Sequence, residues 1–133
     1  MVQKPERSIE ELAREDGRYP AAAVHFVREG LGVAVRQVFG SGGESQEPRH
    51  VTGDQLCLGL RELALKRWGY LARPVLRHWN IHTTRDFGEI VFLLVQGGWM
   101  HRQETDKLED FDDVFDFGEA FERHIDFETE DDD

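Results

Sequence analysis

The stretch VTGDQLCLGLRELALKRWG, residues 51–69, carries the clearest helix signal in the chain. Thr52 and Gln55 have the spacing of a capping box, in which two side chains satisfy free N–H groups at a helix start. Gly69 supplies a stop signal, because glycine readily takes the left-handed backbone that ends helices. The stretch therefore predicts a helix from just after Thr52 to Trp68.

Two further helices are predicted before this stretch. Ser8 and Glu11 form a second capping box, which opens a short helix that ends near Gly17. The next helix shows one apolar face at i, i+3, i+7 spacing, formed by Val24, Val27, Leu31, Ala34 and Val38. Gly30 and Gly32 weaken this helix, and they mark either a close helix contact or a break.

Two more helices are predicted after residue 69. The fourth covers roughly 71–79 with apolar residues at i+4 steps, and Asn80 suits a left-handed end. Thr83 or Thr84 caps a fifth helix, which the glycine pair at 97–98 ends.

The pattern changes after the fifth helix. Residues 99–103 and 107–111 are compatible with two short strands joined by 104–106. A last helix is predicted to begin after Asp116 and to cover 118–124. The predicted fold class is mainly α, with five to six helices and one short β-hairpin left open. Helices, a tight helix–turn–helix and a hairpin follow the element order of a winged-helix domain, although order alone does not set function.

Length and composition indicate one soluble domain. The 133 residues fit a helical domain at 1–125, followed by an acidic tail at 126–133 that we expect to be disordered. Cys57 is the only cysteine, so an intrachain disulfide is excluded. The charged N-terminus lacks the apolar region of a signal peptide, and the longest apolar run, 90–95, is too short to span a membrane. We therefore expect a cytoplasmic protein with no membrane partner.

The net charge of −11 is placed unevenly. Residues 104–133 hold 15 acidic and two basic side chains, whereas the first 103 residues carry a small positive excess. The overall charge disfavours nucleic acid and anionic membranes as partners. The acidic C-terminus nevertheless leaves room for a basic surface elsewhere.

Basic and aromatic residues are interleaved between positions 61 and 79. The bases are Arg61, Lys66, Arg67, Arg73 and Arg77, and the aromatics are Trp68, Tyr70 and Trp79. Such groups can bind a nucleic-acid backbone and stack on bases. They can equally form a solvated helix face with the aromatics in the core, which we favour because the aromatics fall on apolar stripes. A third interpretation is that the acidic end of the chain folds back on this stretch.

Phenylalanines recur through the acidic segment that follows, at Phe111, Phe115, Phe117 and Phe121. We predict that they anchor an acidic strip to the domain, with its carboxylates facing water. An EF-hand loop starting at Asp110 would place Val114 and Phe115 where an oxygen ligand and a glycine are needed. A weak divalent-cation site within 104–116 stays open.

The sequence contains no recognisable catalytic or metal-binding motif. There is no zinc-ligand spacing, nucleophile elbow or phosphate-binding glycine loop. We therefore predict no cofactor, no metal and no enzymatic activity. An enzyme with an unrecognised site stays as an alternative, with its polar groups near the start of the fifth helix: His82, Arg85, Asp86 and Glu89.

Four stretches together resemble a known family: HVTGDQL (50–56), WNI (79–81), TRDFGEIVF (84–92) and FDF (115–117). The chain resembles, over roughly residues 8–122, a family of short uncharacterised bacterial proteins associated with planctomycetes and verrucomicrobia. That family has no assigned activity, so the resemblance implies a domain in a bacterial cytoplasm and no catalytic residues.

We therefore predict a non-catalytic protein-interaction or adaptor module whose partner is another protein. The candidate interaction residues are Arg61, Lys66, Arg67, Arg73, Arg77, Phe111, Phe115 and Phe117. The alternative is a nucleic-acid-associated regulator that uses the basic stretch 61–77, with the acidic C-terminus as a brake.

Overall fold

A computed structural model describes residues 7–40, 51–100 and 107–122 of the chain. The five α-helices are α1 Ile9–Asp16, α2 Ala21–Phe39, α3 Gly53–Trp68, α4 Ala72–His78 and α5 Thr84–Gln96. Three shorter elements are a 3-10 turn at Gly69–Leu71, a 3-10 helix at Leu108–Phe111 and a π-helical turn at Gly118–Glu122. The protein is mainly helical, as predicted, and these three ranges contain no strand.

The helix starts follow from the predicted capping boxes. The Thr52 hydroxyl accepts the N–H of Gln55 at 3.3 Å, and the Gln55 side chain accepts the N–H of Thr52 at 2.9 Å. Ser8 and Glu11 make the same reciprocal pair at 3.0 and 2.9 Å. Gly17 ends α1 in the left-handed region at φ 81°. Each cap satisfies backbone groups that a helix end leaves without partners.

The sequence analysis left a β-hairpin undecided, and its second strand, at 107–111, is not formed. Leu108–Phe111 is a 3-10 helix instead, and the Asp110 carboxylate accepts the N–H of Lys107 at 3.1 Å to cap it. Trp99 and Met100 lie in a bend after α5. The winged-helix order therefore has no second wing strand at 107–111.

Three other predictions concern positions outside the described ranges. These are the hairpin residues at 101–106, the end of the last helix at 123–124 and the domain boundary between 125 and 126. The predicted start of that last helix is confirmed, because Asp116 accepts the N–H of Glu119 at 3.0 Å as a cap.

The core forms where the other elements pack around α2 and α3. α1 and α5 pack on α2, α4 packs on α3, and the 3-10 helix at Leu108–Phe111 packs on α5 and α3. Phe26, Phe87 and Phe121 are the largest fully buried side chains. Helices and the acidic segment therefore contribute to one apolar core.

Small residues set the contact between α2 and α3. A Cβ atom added to Gly30 would lie 2.1 Å from Leu60 Cδ2, and one added to Gly59 would lie 2.9 Å from the backbone nitrogen of Ala34. α2 continues unbroken through Gly30 and Gly32. Of the two predicted explanations for the Gly30 position, a close helix contact is confirmed and a break is wrong.

The end of α5 is fastened to the start of the described chain. The indole N–H of Trp99 donates to the carbonyl oxygen of Arg7 at 2.9 Å. The guanidinium of Arg28 in α2 lies 4.9 Å from the centre of the Trp99 ring, which is cation–π geometry. Trp99 thus connects three separate parts of the fold.

Candidate functional site

A cleft lies beside the close contact between α2 and α3. Its apolar lining is Val33 from α2 and Leu63 from α3, both half-buried. Exposed polar side chains complete the lining: Arg36, Gln37, Glu62 and Lys66. The volume is about 270 Å³, just below the range of roughly 300–1,000 Å³ for small-molecule sites. The cleft is therefore of a size for one or two side chains of a bound polypeptide. We call it the α2–α3 cleft.

Two positive charges of the α2–α3 cleft are not neutralised by neighbouring groups. Within the described residues, neither Arg36 nor Lys66 has a carboxylate at ion-pair distance. Glu62 lies one helical turn before Lys66, but its carboxylate accepts a hydrogen bond from the side-chain amide of Gln37. The cleft therefore combines an apolar lining with two cations that can attract an acidic ligand.

The three predicted bases of α3 do not share one surface. Successive residues of an α-helix differ by about 100°, so Arg61, Lys66 and Arg67 point about 100–140° apart. Lys66 lines the α2–α3 cleft, and Arg61 is exposed elsewhere on the helix. Arg67 forms an ion pair with Glu29 of α2, which reduces its availability to a partner.

The two predicted bases of α4 lie beyond the C-terminal end of α3. Arg73 is half-buried, and its Nη1 lies 3.3 Å from the position that a Cβ would take at Gly118. Arg77 is exposed. Both side chains have interaction partners in the structure. Arg73 therefore lies against the π-helical turn rather than beside Lys66.

The aromatic residues near these bases belong mainly to the core. The rings of Phe26, Trp68 and Trp79 pack together with centroid distances of 5.2 to 5.7 Å. Both tryptophans are only partly accessible, whereas Tyr70 is 51% exposed. The predicted packing of the tryptophans in the core is confirmed, and Tyr70 alone of the three is well placed to stack on a base.

The acidic segment is held on the domain by its phenylalanines. Phe111 and Phe117 are buried, and Phe115 is half-buried against the rings of Phe117 and Phe121 at 5.8 and 6.0 Å. The acidic side chains of the same segment are exposed: Glu109, Asp110, Asp112, Asp113 and Asp116. The strip thus lies on the domain as expected. A role of its phenylalanines in binding a partner stays a prediction.

Thr84 fixes the start of this strip. Its buried hydroxyl donates to the carbonyl oxygen of Phe111 at 2.5 Å and accepts the N–H of Val114 at 3.1 Å. One turn later, a Cβ at Gly88 would lie 2.6 Å from the Phe111 ring. The Phe111 ring therefore packs on α5 at a point where any side chain at position 88 would collide with it. The Thr84 hydroxyl satisfies the Phe111 carbonyl and the Val114 N–H.

A polar network surrounds the start of α5. One oxygen of Asp86 accepts the hydroxyl of Tyr19 at 2.6 Å, and the other accepts the N–H groups of His82 and Thr83 at 2.8 and 3.2 Å. Burial, followed by the hydrogen bond to Asp86, raises the pKa of Tyr19 well above its ordinary value. Because both oxygens of Asp86 are occupied, this carboxylate acts as a fixed helix cap.

Ion pairs extend the network to the neighbouring elements. The Arg18 guanidinium lies 2.9 Å from Asp16 and 3.0 Å from Glu89, and these hydrogen bonds raise its pKa. Arg85 lies 3.1 Å from Asp112 of the acidic strip. Of the groups named for the enzyme alternative, Arg85, Asp86 and Glu89 thus contact other elements, and the His82 ring lies 3.0 Å from the Asn80 side chain. None of the four lines the α2–α3 cleft.

The possible metal ligands of the described ranges are dispersed, and the Cys57 thiol is buried. There, no three His, Cys, Asp or Glu side chains come together as a metal site. Burial, with a smaller contribution from Asp54, raises the pKa of the Cys57 thiol to about 12. A thiol with so high a pKa is a poor nucleophile.

No helix in the described ranges is both long and apolar enough to cross a membrane.

Sequence reasoning identified only one residue of the α2–α3 cleft, Lys66. The sequence pattern does not distinguish Val33 and Arg36 on the α2 side, because neither belongs to the predicted apolar face of that helix. The signal that was present is the pair of small residues Gly30 and Gly59, since they allow the two helices to approach closely.

Comparison with known proteins adds no further constraint. The chain matches no protein-family model, no curated protein and no solved structure.

Proposed function

We propose that this protein is a non-catalytic interaction module that binds a segment of another protein in the α2–α3 cleft. The observation that carries the proposal is the combination of an apolar lining, Val33 and Leu63, with two cations that have no partner within the described residues, Arg36 and Lys66. A ligand that fits would present one or two apolar side chains flanked by carboxylates.

The size of the cleft predicts reversible binding. Burial of one large apolar side chain contributes about 1.5–3 kcal/mol, and exposed charges raise the association rate more than the affinity. A contact of one segment lies well below the roughly 1,200–2,000 Å² that stable interfaces bury. These magnitudes suit an adaptor that exchanges partners.

The nucleic-acid alternative has less support. The bases of α3 diverge, Arg67 is paired with Glu29, and Trp68 and Trp79 pack against the core. The net charge of −11 also opposes a phosphate backbone more than it opposes a short acidic segment, because duplex DNA carries one negative charge about every 1.7 Å. The alternative requires that truncation after Phe121 raises DNA or RNA affinity in a salt-dependent manner.

The test is affinity purification from the native cell with matched variants. The double variant Arg36→Glu and Lys66→Glu reverses both charges of the cleft. The control, Arg14→Glu and Arg61→Glu, makes the same charge change at two exposed residues outside the cleft lining. We expect a protein that the wild type and the control retain and the cleft variant loses. A synthetic peptide of that protein, acidic with apolar residues, should bind the purified chain.

Two outcomes contradict the proposal. Equal retention of the partner by both double variants would place binding outside the cleft. Recovery of nucleic acid that is lost at high salt would instead support the regulator alternative.

A further inference from the structure

We infer that the last eleven residues of the chain, RHIDFETEDDD at 123–133, are themselves a ligand of the α2–α3 cleft. This inference rests on the proposed function, because it assigns a specific occupant to the same cleft. It follows from three properties: the residue pattern of the segment, the charges of the cleft and the point at which the described chain ends.

The residue pattern matches the ligand that the cleft requires. Ile125 and Phe127 are separated by Asp126 and followed by Glu128. In an extended backbone successive side chains point to opposite sides, so the two apolar residues share one side. The segment can therefore turn an apolar pair toward Val33 and Leu63, while the four carboxylates that follow at 130–133 can approach Arg36 and Lys66.

Charge complementarity favours a tethered ligand over a separate one. Residues 124–133 carry six carboxylates and no Lys or Arg, and Arg36 and Lys66 have no carboxylate partner within the described ranges. A separate acidic partner approaches against the net charge of −11. A segment of the same chain is already present at an effective concentration in the millimolar range.

The described chain ends beside the turn that follows the Lys66 end of α3. The π-helical turn Gly118–Glu122 packs on α4 and on the 3-10 turn Gly69–Leu71. That 3-10 turn follows directly on the last turn of α3, which carries Lys66. When extended, the five residues from 123 to Phe127 span up to about 17 Å, and all eleven residues span up to about 36 Å.

A regulated cleft follows from this arrangement. With the segment bound, a partner gains access only by competing with it, so the partner's apparent affinity falls by the fraction of open molecules. Partners with a stronger acidic and apolar segment are thereby selected over weak ones.

Carbodiimide coupling of the unmodified 133-residue chain tests the inference, because it joins a lysine amine to a carboxylate in direct contact. The chain has three lysines, Lys4, Lys66 and Lys107, so coupled peptides are unambiguous in mass spectrometry. We expect Lys66 to be coupled to a carboxylate of 126–133 within a monomer. Lys107 is nearer in sequence and controls for random encounters of the segment.

Two variants separate docking from simple charge attraction. Phe127→Ser leaves every charge in place and should lower the Lys66 coupling about tenfold, since it removes one buried aromatic side chain. Arg36→Glu should lower it as well, and the matched change Arg61→Glu should not.

Three results would overturn the inference: coupling of Lys66 to Glu62 alone, equal coupling of the segment to Lys66 and Lys107, or coupling only between two chains. The last result would identify a second copy of the chain as the occupant. None of them affects the partner test with the double charge variants, so the proposed function can stand or fail separately.

Discussion

Alanine substitutions at three glycines test the close contact between α2 and α3. Each replacement in a helix interior gains about 0.5–1 kcal/mol from reduced backbone freedom. At Gly32 the new methyl would meet only Arg36 Nη1, at 3.7 Å, so Gly32→Ala should stabilise the protein by that amount. Gly32 therefore serves as the internal reference for Gly30 and Gly59.

The other two positions should lose stability. At Gly30 the methyl would lie 2.1 and 2.7 Å from Leu60 Cδ2 and Cγ, and Leu60 is fully buried and cannot move into solvent. At Gly59 it would meet the Ala34 backbone at 2.9 and 3.0 Å, which only separation of the helices relieves. Overpacking costs about 1–3 kcal/mol. After the backbone gain is subtracted, we expect a net loss of about 0.5–2 kcal/mol at Gly30 and a larger loss at Gly59.

Urea denaturation followed by circular dichroism measures these changes as shifts of the midpoint at constant slope. The expected order of stability is Gly32→Ala, wild type, Gly30→Ala and Gly59→Ala. If Gly59→Ala were as stable as Gly32→Ala, the two helices would not be in the described contact. The geometry of the cleft beside them would then also be incorrect.

Three further predictions concern single buried groups. Thr84→Val keeps the side-chain volume but leaves the Phe111 carbonyl and the Val114 N–H without partners, so urea denaturation should show a loss of about 2–4 kcal/mol; Thr84→Ser keeps the hydroxyl and should lose less. The raised pKa of Tyr19 means that its neutral form is stabilised by folding, so its contribution is complete below about pH 10 and declines as the pH rises above that value. Tyr19→Phe should flatten this alkaline decline in thermal unfolding, and an unchanged slope would contradict the assignment. Cys57 should resist iodoacetamide in the native protein and react after urea unfolding, and rapid native labelling would contradict its burial.

The helices could be predicted because their signals are local. Thr52 and Gln55, like Ser8 and Glu11, contact each other across a single helical turn, so sequence spacing alone specifies the geometry. Asn80 adopts the expected left-handed backbone at φ 66° for the same reason. Such signals depend on no distant part of the chain.

The strand predicted at 107–111 failed because two local patterns compete there. Leu108 and Phe111 are three residues apart, which suits one face of a helical turn as well as a short strand. Asp110 settles the competition by capping the N–H of Lys107, and Thr84 from a distant helix holds the resulting turn. The periodicity of a short apolar segment carries no information on that tertiary contact.

The α2–α3 cleft and the Tyr19–Asp86 bond could not be predicted because both depend on long-range register. Tyr19 and Asp86 are 67 residues apart in sequence. Whether Arg36 lies beside Lys66 depends on how α2 and α3 slide along each other, and that position is set by tertiary packing. Single-sequence patterns carry no information on such register.

The tie between Trp99 and Arg7 has a consequence for the order in which the molecule assembles. It joins the Trp99 side chain to a backbone carbonyl 92 residues away, whereas the contacts between α2 and α3 close a much shorter loop. Because the entropic cost of closure grows with loop length, the α2–α3 pair should form before Trp99 is joined to Arg7. Trp99→Phe should therefore speed unfolding while leaving the folding rate nearly unchanged, and stopped-flow kinetics would show the effect on the unfolding limb. The contact between the segment before α1 and the segment after α5 is then the last part to close and the first to open.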